Sequence, residues 1–318
     1  MKPRRRIVAV AVAGTLLIAL AGELVARFVL RLADQPLYIE DRRIGYLCAP
    51  DQDCGINGLH FRTNRWSMRS ADFPARKEAP DELRIMLLGD SIINGGNAID
   101  QGALASEALR TAVAATAKRP VVVGNISTGG WSTVNEYAYL RRYGWFEADY
   151  AILEVNENDA WDVPSFGAID PLLFPTTRPA SALLFSCQRY GSRLFPGLGA
   201  LPAASPPGEP VPGTPEESCL LALGQILRAA QLNRVKIAVV LHPTLENVRG
   251  AATPGLDALR AVAIAAAVPV VELMPIYRSS GDPAALYSDG LHLTARGQQA
   301  LAKGFAQALA ALGMASPP

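Results

Sequence analysis

The stretch Ile85-Met86-Leu87-Leu88-Gly89-Asp90-Ser91 decides the reading of this chain. A short apolar run bounded by a glycine turn reads as a buried strand, and the turn lifts a serine out of it. A serine so placed becomes a nucleophile when a base takes its proton and donors hold the oxyanion that forms on attack. Gly-Asp-Ser alone is a common turn. Here, however, Asp289-Gly290-Leu291-His292 stands near the C-terminus, with Asn125…Gly130 and Asn158-Asp159 between, each just past another strand-like run.

Working outward, five runs read as buried strands: Arg84–Leu88, Val121–Asn125, Tyr150–Val155, Val235–Leu241 and Pro269–Leu273. Helical spacing appears over Ala103–Ala117, Asn135–Tyr143, Leu256–Ala267 and Thr294–Leu312, the last with Gly313 as its stop. Thr214-Pro215-Glu216-Glu217 combines a capping hydroxyl, a proline in the first turn and a glutamate three residues after the cap, predicting a helix to about Asn233. Strands alternating with helices predict an α/β fold, a three-layer α/β/α sandwich around a five-stranded parallel sheet. Ligands of such sheets bind beyond the carboxyl ends of the strands. Ser91, Gly130, Asn158 and His292 all fall there. Residues 34–82 form a loop-rich lead-in to a body over 83–318. Within the body, 165–213 reads as a Pro/Gly-rich insertion, either a lid or a surface loop, and Pro196–Pro212 admits no regular element.

The chain has 318 residues, 50% of them hydrophobic, and a net charge of +1. Lys2, Arg4, Arg5 and Arg6 carry four of its positive charges; subtracting them leaves −3, and no basic face argues for nucleic acid. Those charges precede the apolar run Ile7–Ala21, the pattern of an export signal with its charge held on the cytoplasmic side. Cleavage after Ala19-Leu20-Ala21 is one outcome. Apolar character continuing through Leu24–Ala26 and Phe28–Leu30 favours the other, an uncleaved anchor over 1–33. Either way the body lies on the periplasmic, extracytoplasmic side of the plasma membrane. Cys48, Cys54, Cys187 and Cys219 form an even set for an oxidising compartment; Cys48–Cys54 and Cys187–Cys219 is the sequence-local pairing of three possible. A zinc site from Cys48, Cys54 and His60 fits no common ligand spacing. No metal or cofactor is expected.

These residues resemble the SGNH/GDSL hydrolases over roughly Leu83 to the C-terminus, which implies a flavodoxin-like SGNH fold. The resemblance implies Ser91 as nucleophile, with its N–H serving the oxyanion hole. It implies Gly130 as a second donor, with Gly129 the fallback, and Asn158 as the third. Asp289 and His292 match the family's Asp-x-x-His block. Asn156 stands where the family's Gly-x-Asn-Asp block has glycine. In the lead-in, Thr63-Asn64-Arg65-Trp66-Ser67-Met68-Arg69 is similar to a Thr-Asn-x-x-Gly-x-Arg segment of exported members, with Ser67 replacing glycine; some of those members serve exopolysaccharide-modifying systems. The implied activity is a serine esterase cleaving an O-acyl ester of a small molecule or carbohydrate. O-Acetyl transfer to a polysaccharide by the same residues is the alternative, and a non-catalytic carbohydrate-binding or assembly role is the third.

His60 reads as structural or surface-exposed, and His242, in His242-Pro243-Thr244, as a loop histidine without catalytic duty. Trp131 and Trp161 could stack on a sugar or pack under the insertion.

Overall fold

The computed structural model describes residues 3–162, 169–194 and 215–314. The sheet that organises it comprises β5 (Leu83–Gly89), β6 (Val121–Ser127), β7 (Tyr150–Asn156), β8 (Lys236–His242) and β9 (Val270–Glu272), all parallel, in the order β6-β5-β7-β8-β9. Ahead of it lie two antiparallel hairpins, β1 (Tyr38–Asp41) with β2 (Gly45–Cys48), and β3 (Asp53–Ile56) with β4 (Leu59–Arg62). The helices are α1 (Pro3–Leu24), α2 (Ser91–Asn94), α3 (Ala105–Ala117), α4 (Thr133–Tyr143), α5 (Ala182–Leu194), α6 (Pro215–Leu232), α7 (Leu245–Arg249), α8 (Pro254–Ala265), α9 (Met274–Arg278) and α10 (Ala295–Ala311).

Alternation along each strand divides the core into two halves. Met86 and Leu88 of β5, Ala151, Leu153 and Val155 of β7, and Ile237, Val239 and Leu241 of β8 pack towards α4, α6 and α8. The intervening Ile85, Leu87, Ile152, Ala238 and Val240 pack towards α3 and α10 through Leu109, Val113, Leu301 and Phe305. This is the three-layer α/β/α sandwich expected. Each of the five expected strands is present, shifted at its ends by two residues at most, as is each expected helix. Thr294 caps α10 by accepting from Gly297 N. The start of α4 moves back to Thr133 because Ser132 and Asn135 close a capping box there. Pro196–Pro212 and the Thr214 cap lie outside the described residues.

Three features were not anticipated. The lead-in read as loop-rich forms the hairpins β1–β2 and β3–β4. The helix α5 lies inside the segment read as an irregular insertion. The lead-in contributes Tyr38, Ile44, Tyr46, Leu47, Phe61 and Met68 to the same core half as Leu88 and Trp131. Its Arg69, fully buried, donates to Gly96 O (2.7 Å) and Ile99 O (2.6 Å) and lies over the Phe61 ring.

The disulfide expectation is overturned: all four cysteines are free. Cys48 and Cys54 belong to different hairpins and turn to different partners, Thr128 Oγ1 and the Gln35 carbonyl. Cys219 is buried on α6, where its thiol donates to Asp162 O (3.0 Å), while Cys187 is exposed on α5. Burial pushes the Cys48 and Cys219 thiols up to about 11, so both are protonated and inert. The same divergence removes the zinc alternative. His60 Nε2 meets Asp53 Oδ1 (2.7 Å), and no cluster suited to a metal occurs among the described residues.

From Arg6 to Val29 the chain is helical, with a mean hydropathy of 2.3 and no buried residue in its most apolar window. Among the described residues it is the one helix long and apolar enough to cross a membrane, a property shared by single-pass anchors and signal sequences.

Candidate active site

The order β6-β5-β7 puts the strand that ends in Gly89-Asp90-Ser91 between the strands that end at Ser127 and Asn156. Segments distant in sequence therefore meet at one edge. Asp90 leaves the strand and caps the short helix α2, its Oδ1 accepting from Ile92 N (2.8 Å), and Ser91 is the first residue of that helix. The turn is tied to β6 by Asn94 Nδ2, which donates to Ser127 O (3.0 Å), and by Asn125 Nδ2, which donates to Ile93 O (2.9 Å).

Ser91 Oγ lies 2.9 Å from His292 Nε2, and His292 Nδ1 lies 2.8 Å from Asp289 Oδ2. A hydroxyl, an imidazole and a carboxylate in such a line can carry the serine proton to the ring and stabilise the imidazolium. Partial burial raises the Asp289 carboxyl, but the His292 N–H, the His292 ring and the Leu291 N–H outweigh it and hold the group below its ordinary range. The outer members are open to solvent: the His292 and Asp289 side chains are 45% and 57% exposed.

The loop carrying them is fixed from below. Gly290 takes φ +95° and its carbonyl accepts from Leu245 N (2.7 Å), while Tyr287 and Leu293 bridge across the loop. His242, the last residue of β8 and fully buried, contacts Leu291 O through Nε2 (3.0 Å) and Tyr277 Oη through Nδ1 (3.0 Å). The neutral tautomer that satisfies both donates from Nε2 to the carbonyl and accepts from the tyrosine. Burial pulls its pKa down to about 4 and keeps it neutral. His242 is thus a buried strand residue rather than a loop histidine, and it supports the backbone next to His292. Gln298 does similar work for Ser91: its Nε2 donates to Ile92 O (2.7 Å) and its Oε1 accepts from Ala105 N (2.9 Å). No motif marked Gln298; only its place in the first turn of the helix after His292 hinted at it.

On the β6 flank, an added Cβ at Gly129 would sit 3.8 Å from Ser91 Cβ, and Gly130 takes φ +75° with Tyr46 Oη 2.7 Å from where a Cβ would be. Position 130 therefore excludes a side chain on both counts. Tyr46 Oη donates to Gly129 O (2.7 Å), and among the described residues neither Gly129 nor Gly130 N–H has an acceptor. On the β7 flank, Asn158 is half-buried and its side-chain amide has no partner among the described residues. Asn156 sits in extended backbone (φ −116°), so the glycine of the related motif is not needed for its conformation. Its side chain ties the β7 flank to the Asp90-Ser91 turn: Nδ2 donates to Asp90 Oδ2 (3.1 Å) and Asp159 Oδ2 (3.0 Å), while Oδ1 accepts from Asn158 N (2.9 Å).

Beneath the turn lie Glu136, Glu154 and Asp159, each at most 2% exposed. Burial pushes all three well above the ordinary carboxyl range, and neighbouring acids add to it. Among the described residues, neither Glu154 oxygen has a hydrogen-bond partner. Trp131 is buried, with Nε1 donating to Tyr46 O (2.8 Å), and has no face for a ligand; Trp161 is 40% exposed. A cavity of about 630 Å³ lined by Arg43, Tyr137, Arg141 and Arg142 contains none of these residues.

A parallel sheet that sets a serine between the Gly129–Gly130 and Asn158 loops, in line with a histidine and a carboxylate, is an α/β site with the groups needed for hydrolysis. Residues 87–300 match the GDSL-like Lipase/Acylhydrolase family, and the chain belongs to that family of ester hydrolases. Among solved structures, similarity extends to LAE5, an alpha/beta hydrolase enzyme from the metagenome of Lake Arreo, Spain (17% identity, TM-score 0.47, 74% of this chain and 97% of that one). It extends also to TesA (14%, 0.46, 72% and 99%) and to a mutant of Axe2, an acetyl-xylooligosaccharide esterase from Geobacillus Stearmophilus (14%, 0.47, 76% and 97%). At such identities these likenesses say nothing of substrate. No curated protein matches the chain.

Proposed function

We propose that the protein is a membrane-anchored serine esterase that cleaves an O-acyl ester outside the cytoplasm through an acyl-serine intermediate. The observation that carries this is the unbroken line Ser91 Oγ–His292–Asp289, at 2.9 and 2.8 Å. His292 Nε2 takes the Ser91 proton as Oγ attacks the acyl carbonyl, and Asp289 steadies the resulting imidazolium. Ser91 N–H, Gly130 N–H and Asn158 Nδ2 hold the oxyanion. Collapse of the tetrahedral species breaks the ester C–O bond, and the proton on His292 passes to the leaving alkoxide. Water, deprotonated by the same ring, then attacks the acyl-serine and frees the acid. The exposure of His292 and Asp289 favours water over a sugar hydroxyl as the second nucleophile. Hydrolysis is therefore preferred to O-acetyl transfer, and an intact proton line argues against a purely binding role.

In this reading residues 1–33 are the anchor, 34–82 the lead-in and 83–318 the hydrolase domain, with Arg4–Arg6 held on the cytoplasmic side. An acylated carbohydrate is the preferred substrate, with Trp161 as the exposed ring on which a sugar can stack. The test is p-nitrophenyl acetate hydrolysis by the detergent-solubilised full chain. Turnover should disappear in Ser91→Ala and His292→Ala with circular dichroism unchanged. Equal rates in wild type and Ser91→Ala would remove Ser91 from the mechanism.

A further inference from the structure

A second set of built contacts joins the foot of the N-terminal helix to the start of α5. Glu23 Oε1 accepts from Ala182 N (3.0 Å), and Oε2 accepts from Leu183 N (2.9 Å) and Ser181 Oγ (2.9 Å). Arg27 donates from Nε to Glu23 Oε1 (2.8 Å) and from Nη2 to Ala180 O (2.6 Å). A carboxylate across the free N–H groups of a helix start is a cap that also answers the helix dipole. Ala182, fully buried, packs against Ala26 and Ala33, and Gly22 leaves room for Leu183. The two helices are thus fastened by charge, backbone and close packing together.

Depth follows from length. A hydrocarbon core of about 30 Å takes about 20 helical residues. Counted from Arg6, the last of the N-terminal basic cluster, the core ends near Ala26. Glu23, and with it the first turn of α5, therefore lies at the outer edge of the core. There α5 buries Ala182 and Phe185 against the protein but leaves Leu184 59% exposed and Leu183 36% exposed, and on the N-terminal helix Phe28 and Val29 are about 70% exposed. Apolar side chains bared at that level have one fitting neighbour.

We propose that α5 lies in the membrane–water interface, with Leu183 and Leu184 seated in the outer leaflet next to the anchor, so that the body is fixed against the lipid surface rather than tethered loosely to it. The inference rests on the anchor reading above. It also places the site. Phe174, which packs on Tyr46 over the Gly129–Gly130 loop, is joined to Ala182 by a segment that spans at most about 27 Å. Esters presented at the membrane surface are then the ones within reach.

The experiment uses the full chain reconstituted in phosphatidylcholine–phosphatidylglycerol vesicles. Cys187, exposed one turn beyond the leucines, takes an environment-sensitive fluorophore, and nitroxide lipids labelled near the headgroup or near the bilayer midplane serve as quenchers. Headgroup-level nitroxide should quench the label more than midplane nitroxide, and Glu23→Ala should weaken that quenching. A parallel label on Leu20→Cys in a Cys187→Ser background reports the anchor itself. Quenching at position 20 with none at 187 overturns the docking of α5 and leaves the anchor standing. No quenching at either position overturns the anchor reading and the docking with it.

Discussion

Ser91 has one proton and two hydrogen-bond partners, His292 Nε2 at 2.9 Å and Asp90 Oδ2 at 3.3 Å. The competition is moderated by Asn156, whose amide occupies the same Asp90 oxygen. Removing that amide leaves Asp90 and Asp159 facing each other with a shared donor gone, at a cost of about 1–3 kcal/mol for the buried acceptors. Asn156→Gly, although it restores the residue usual in the related motif, should therefore lower stability by that order in denaturant unfolding and lower kcat. Unchanged stability would mean that water replaces the amide. If Asn158 serves the oxyanion as proposed, Asn158→Ala should act on chemistry alone: loss of one such donor costs about 3 kcal/mol, or roughly 10²-fold in kcat, with KM little changed. A rise in KM at constant kcat would instead make Asn158 a substrate-binding residue. Asp289→Asn should reduce turnover less than loss of His292, because the His292 backbone contact to position 289 survives the change.

Elements carry their own strain and support. Ser67 stands where the similar lead-in segment has glycine, and its φ is +62°. A side chain there costs about 1–2 kcal/mol relative to glycine. Ser67→Gly is expected to stabilise the protein by about 1 kcal/mol, read from the urea midpoint at constant m-value; no gain would show that the hydroxyl compensates. The contrast with Asn156 is instructive, since one substituted glycine sits in strained backbone and the other in an ordinary extended turn. The strand β8 ends in His242, whose pKa falls from its ordinary 6.5 to about 4 through burial. The unfolded chain binds that proton first. Stability is complete above pH 6.5 and declines as pH falls towards 4, by about 3 kcal/mol if the shift is fully expressed. His242→Gln should flatten this acid limb in melting temperatures taken between pH 7 and pH 4. An identical limb in the variant would assign it to the carboxylates held below their ordinary range, such as Asp34, Asp100 and Asp289.

At the scale of the molecule, the buried acids Glu136, Glu154 and Asp159 act in the opposite direction. Their folded pKa values lie above the unfolded ones, so the stability they contribute is full at acidic pH and is lost as pH rises. Glu154→Gln removes one such group and should raise the melting temperature at pH 9 more than at pH 5; the reverse order would show Glu154 to be ionised in the fold. Much of the architecture was legible in the chain. The unbroken apolar runs Met86–Leu88 and Ile237–Leu241, and the helical spacing of Leu256–Ala267, register local chemistry that each segment carries with it. The spacing Asp289-x-x-His292 was legible for the same reason, since three residues bring a carboxylate and a ring together without help from elsewhere. Trp131 was not: whether an indole meets solvent depends on Tyr46, 85 residues away. Nor were the free cysteines, because nearness in sequence says nothing about two hairpins that face different neighbours.

The sequence by itself determined the five strands of the parallel sheet, the five helices α3, α4, α6, α8 and α10 that cover it, and the apolar segment at the N-terminus, and it singled out the candidate reacting groups, because apolar patterning, turn chemistry and short motifs act within a few residues. Only the tertiary structure decided that β5 lies between β6 and β7, which brings the Gly129–Gly130 and Asn158 loops to either side of Ser91. Only it put Gln298 under Ile92, His242 under Leu291 and Glu23 on the start of α5, contacts that join segments 206, 49 and 159 residues apart. Such pairings depend on how packed layers stack, and no stretch of the chain records where its partner will be.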